Sequence, residues 1–173
     1  MSDFDLSLDE LRVVARYVAE SAESVLPVFE TAHPDDPRPR AAVGAAWEFV
    51  DGAPRTRLQR STSLDAHRAA REATTDVARL AARSAGDAAA AAYLHPIAQA
   101  EQVGHILRAA ASAARIAELQ TGDAEAAIEA ARRRAPPVLV DVLSRYPPAP
   151  ASRTPVGSLM SALDAALRRN SAR

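Results

Sequence analysis

Four histidines, His33, His67, His95 and His105, are the side chains in this sequence best suited to bind a metal or exchange a proton near neutral pH. Glu30 and His33 form one Glu-x-x-His pair. A di-iron bundle needs that motif twice, with a further glutamate from each of two other helices. Glu101 and His105 are four residues apart and can share a helix face. Asp87, His67 and His95 on neighbouring helices could complete a metal or small-ligand site around them. The competing use of these groups is structural, an imidazole steadied by a carboxylate inside a helical scaffold. No HExxH, GxSxG, GxGxxG or HxE…CxxC pattern occurs, and the serines fall mainly at predicted helix starts, where capping explains them.

Two absences narrow the chemistry further. All 21 basic residues are arginine, so there is no lysine for a Schiff base, a pyridoxal phosphate anchor or a P-loop. There is no cysteine, which removes disulfides, thiolate zinc sites, iron–sulfur clusters and a cysteine nucleophile. No cofactor is expected, and the residues read as a non-catalytic protein. The formal charge of −1 and a pI near 6.4 provide no basic field for nucleic acid. The acidic start MSDFDLSLDELR lacks a signal-peptide pattern, and no run is apolar enough for a membrane span, so the expected compartment is the cytoplasm.

A second constellation suits binding rather than reaction. Asp35, Asp36, Arg38 and Arg40 lie in one short turn, and Trp47 follows on the next helix. Asp36 can cap that helix while Arg38 or Arg40 makes a bidentate pair with a carboxylate of a neighbour. Arginine and tryptophan are also the residues that most often anchor protein interfaces, which makes this group the candidate partner-binding surface.

The elements that must position these residues are helices. About a quarter of the chain is alanine and only 4% is aromatic, which favours thin, closely spaced helices. The predicted fold is all-α, a single-domain alanine-rich helical bundle of about six or seven helices, with the body of the bundle over residues 1–146. Ser7 and Glu10 have capping-box spacing for the first helix, which Pro27 should kink or end near Leu26. A second helix runs from about Pro37 to Asp51. Three more follow from Pro54 to Gln120, with breaks at Thr74–Thr75 and His95–Pro96, the last spanning Pro96 to Gln120. Asp123 opens another, ended by Pro136 and Pro137, and VLVDVLSRY reads as a short helix rather than a strand. Residues 147–155 are a proline-rich spacer. Residues 156–173 form a C-terminal helix whose apolar face must pack on the bundle or on a second copy, the latter giving a homodimer.

The stretch VLPVFETAHPDDPRPRAAVGAAWEFVDG, Val25 to Gly52, resembles the Imm5-like immunity proteins of bacterial polymorphic toxin systems. AHRAAREA and ARSAGDAAAAAYLHP resemble that family's alanine-rich central helices, although Asp87 stands where the pattern has a histidine after the glycine. The resemblance implies a small helical protein that binds and neutralises a cognate protein toxin. The residues alone leave a metal- or small-ligand-binding bundle as the alternative.

Overall fold

A computed structural model describes residues 2–171; the first residue of the expected bundle and the last two of the expected C-terminal helix lie outside the described residues. The described residues form helices and no strand: α1 (Leu8–Ala32), α2 (Arg38–Val50), α3 (Arg57–Glu72), α4 (Asp76–Ala90), α5 (Val103–Thr121), α6 (Glu125–Arg134), α7 (Pro137–Ser144) and α8 (Pro155–Ser171). Eight α-helices stand among the described residues against about six or seven expected for the fold, and the short helix expected at VLVDVLSRY is present as α7. The Pro136–Pro137 pair and the proline-rich connection delimit α7 as a separate helix, because proline stops one helix yet suits the first turn of the next.

The start of α1 carries the expected capping box. The Ser7 hydroxyl accepts the Glu10 N–H at 3.2 Å, and the Glu10 carboxylate accepts the Ser7 N–H at 2.8 Å. Glu10 also receives Arg145 from the end of α7. That guanidinium, helped by the Ser7 N–H, holds the Glu10 pKa down to about 2. Pro27 does not end α1, which continues to Ala32. Leu26 and Phe29 on either side of it are buried in two different apolar clusters, and their burial offsets the one backbone hydrogen bond that proline removes. Threonine caps open the next helices. Thr56 forms a capping box with Gln59 at α3, and Thr75 accepts the Ala78 N–H at α4.

Helix α5 departs from the sequence reading. It begins at Val103 rather than Pro96 and ends at Gly122, whose φ of +83° suits glycine. Tertiary contacts hold the preceding loop extended. The Asp3 N–H donates to the Pro96 carbonyl at 2.8 Å, the Asp3 carboxylate accepts the Ala98 N–H at 2.7 Å, and the Tyr146 hydroxyl donates to the His95 carbonyl at 3.0 Å. Local helix propensity there is overridden by the two ends of the bundle.

The core is built from small side chains. Ala15, Ala19, Ala22, Ala85, Ala89 and Ala109 are each at most 1% exposed, so α1, α4 and α5 can approach toward the lower end of the usual ~8–10 Å spacing. Arginine then holds the outer helices in register. Arg134 at the end of α6 lies over the Tyr17 ring at 4.2 Å and donates to Glu20 and to the Ser21 hydroxyl. Helix α8 brings Leu163 and Leu167 into the main core, both with no exposed surface. The connection before it folds back along the helix: buried Asp164 accepts the Ala149 N–H at 2.9 Å, and Arg168 donates to the carbonyls of Tyr146 and Pro147. Leu163→Ala is expected to destabilise the whole fold by about 2–5 kcal/mol in urea unfolding. A loss below about 1 kcal/mol would mean that α8 docks loosely.

Candidate functional site

The acidic–basic turn before α2 is a clamp. The Asp36 carboxylate accepts the Arg38 N–H at 3.1 Å, as a cap should, and takes the Arg38 guanidinium in a fork at 2.9 and 2.7 Å. Arg38 reaches on to Glu72 at the end of α3, and Arg40 forms a two-pronged pair with Glu30 of α1. These contacts hold the Asp36 and Glu30 carboxyls below their ordinary range. Asp35 is exposed and outside the clamp. Trp47 is half-buried on α2 under the Arg16 guanidinium, 5.3 Å from its ring centre, and its indole N–H is buried without an acceptor among the described residues.

The histidines fall into separate settings. The His33 Nε2 accepts the Thr74 N–H at 3.2 Å and the ring stacks on Phe29, which pins the α3–α4 step. His67 lies against α4 at Gly86. A Cβ there would be 2.7 Å from the His67 Nε2, so glycine lets the imidazole approach the helix backbone. The next residue, Asp87, is 1% exposed and takes both prongs of Arg108 from α5 at 2.9 and 2.7 Å, with the His67 Nε2 3.8 Å away. His95 and His105 line one recess with Tyr93 and Arg60, and the His105 Nδ1 is buried without a partner among the described residues. Glu101 does not share a helix with His105. It is exposed in a 3-10 turn, Ala100–Gln102, because α5 starts later than expected. Among the described residues no three His, Asp or Glu side chains converge to hold a metal ion.

Asp87 is therefore the anchor of an arginine, and that arginine opens onto a long groove. Its volume is about 590 Å³, and it runs between α4, α5 and the start of α8. Arg79 and Arg83 of α4 face Arg108, Ser112 and Arg115 of α5, with Leu80, Leu119, Val156 and Met160 between them. An adjoining recess adds Arg71 and the His67 ring. Arg79 is paired with Asp76, Arg115 with Glu118 and Arg108 with Asp87, whereas Arg71 and Arg83 have no carboxylate partner among the described residues. The wall thus carries five arginines against three carboxylates. Sequence reasoning missed it because the arginines are scattered along the chain. The available signal was helical spacing, Arg79 and Arg83 on one helix and Arg108, Ser112, Arg115 and Leu119 on one face of the other.

Two measurements probe the Asp87 centre. Arg108→Met leaves a buried carboxylate without its cation and should cost about 3–5 kcal/mol. Asp87→Asn leaves Arg108, whose side chain is 36% exposed, free to turn to water, and should cost about 1–2 kcal/mol. The double variant should recover part of the larger loss, and equal losses for the two single variants would contradict this asymmetry. Burial, reinforced by Arg108, Arg83 and Arg71 against the opposing pull of Asp87, lowers the His67 pKa below its ordinary 6.5; burial with Arg108 and His95, again opposed by Asp87, does the same for His105. The unfolded chain then binds protons first, so stability is complete above pH 6.5 and declines as pH falls toward 5, by at most about 1.4 kcal/mol per pH unit per histidine. His67→Gln with His105→Gln should flatten that decline in chemical denaturation at pH 7, 6 and 5. A slope unchanged by the substitutions would show both rings to be solvated.

No curated protein and no solved structure matches this chain. A family model does, that of the Imm-5 like putative immunity protein, over residues 5–136, from the acidic N-terminal segment to the proline break after α6 and including both arginine-bearing walls of the groove. That match covers well over half of the 173 residues, and the chain belongs to the Imm-5 like putative immunity protein family.

Proposed function

We propose that this protein is a non-catalytic immunity protein of a bacterial competition system, which binds a cognate protein toxin in the cytoplasm of the producing cell and neutralises it by occlusion. Membership of the immunity family over residues 5–136 carries this reading. Composition supports binding over reaction: no lysine or cysteine supplies a covalent nucleophile or a cofactor anchor. The surface chemistry supports it as well, since half-buried and exposed arginines beside apolar side chains are the common anchors of protein interfaces.

The turn from Asp35 to Arg40, with Trp47, is the surface first expected from sequence. A partner docking there must compete with the Asp36, Glu72 and Glu30 contacts that already occupy Arg38 and Arg40. Exchanging one charged partner for another gains little affinity. Their role is better read as holding α1, α2 and α3 together. Co-expression of this protein should protect cells from the toxin encoded by the neighbouring gene, and the two purified proteins should form a complex at micromolar concentration or below. A purified neighbour that does not bind, or one whose toxicity co-expression leaves unchanged, would sink the reading.

A further inference from the structure

The groove between α4, α5 and α8 holds groups that the fold itself leaves unused. Arg83 and Arg71 are exposed and unpaired among the described residues. Ser112 is 2% exposed and brings a small polar group to the groove lining. Arg79 and Arg115 are held only by neighbours on their own helices, Asp76 and Glu118, whose side chains are 73% and 38% exposed. Such surface pairs are weak, so both guanidiniums can turn to a stronger acceptor without loosening the fold. Arg108 differs, since buried Asp87 fixes it at the groove wall.

We propose, resting on the immunity reading, that this groove is the toxin-recognition surface and that its occupant is an acidic segment of the toxin with apolar side chains between its carboxylates. Charge selects the acid: the groove and the recess that adjoins it have two more arginines than carboxylates. The apolar side chains select a protein segment over a free anion. Leu119 is 42% exposed and lies with Leu80 and Met160 among the arginines. A small anion would satisfy the guanidiniums and leave that surface wet, whereas an acidic amphipathic segment covers both. The third wall, from Pro150 to Met160, lies beyond the family match and gives this chain its own means of choosing among related partners.

The test compares affinity for the purified toxin encoded beside this gene, by calorimetry at two salt concentrations. Arg79→Glu with Arg83→Glu should weaken binding by on the order of 30-fold or more and reduce its salt dependence. Arg79→Gln with Arg83→Gln should weaken it less, and serves if the charge reversal perturbs the helicity seen by circular dichroism. The control, Arg57→Glu with Arg68→Glu on the exposed side of α3, changes net charge equally and should stay within about 3-fold of the parent. If the parent binds and both groove variants, folded, bind as well as it does, the groove assignment falls while the immunity reading stands. Equal weakening by the control overturns the assignment too. Saturation of groove resonances by inorganic phosphate alone at micromolar concentration would assign the groove to a small anion instead. A parent protein that binds no toxin removes the immunity reading and this assignment with it.

Discussion

A carboxylate with 1% exposure on a central helix needs a cation, and the way Asp87 obtains one organises this molecule. Arg108 crosses from α5 to supply both prongs, which fixes the rotation of α5 against α4. Gly86, one residue earlier, lets the His67 ring close over the same stretch of α4. The pair is one-sided in its surroundings: the carboxylate is sealed in, while the guanidinium reaches the groove. A buried ion pair is weak evidence for stability in itself, because desolvation opposes the attraction. Its use here is register, since two alanine-faced helices have few bulky side chains to interdigitate.

The same division of labour recurs around the bundle. Alanine permits close packing, but its short side chain specifies rotation and translation poorly. Arginine supplies what alanine lacks. Arg134 ties α6 to α1, Arg145 ties the end of α7 to the start of α1, Arg38 and Arg40 tie the second helix's entry to its neighbours, and Arg168 ties α8 to the connection before it. Arginine suits this role because a planar fork can meet a carboxylate or several carbonyls in one orientation. Most arginines in this chain therefore help to close the fold, and Arg83, without a carboxylate partner among the described residues, stands on the groove.

Local chemistry was the legible part. Capping at Ser7, the break at Thr74–Thr75 and the proline break before α7 are written in adjacent residues and read correctly. What failed depended on residues far away in sequence. The loop from His95 to Gln99 contains nothing to forbid a helix after Pro96; Asp3 and Tyr146 keep it open. Of the two effects expected of Pro27, a kink or an end, the end does not occur, because proline's effect on the backbone is local while the burial of Leu26 and Phe29 that carries the helix past it is not. The histidines looked like a set because they are few, yet helix order places His67 beside Asp87 and His95 beside His105. The arginine groove was invisible for the converse reason, since its members are spread over three helices and none stands out alone.

One wall of that groove is the start of α8 and the connection that leads into it. Filling the groove and docking α8 are consequently linked equilibria. Any ligand that touches both α5 and Val156 or Met160 binds only the molecules in which α8 is seated, and its apparent affinity is scaled by their fraction. By reciprocity, occupancy shifts the population toward the seated form. A substitution at Leu163 or Asp164, out of reach of any ligand, would then register as weaker binding without altering a single contact.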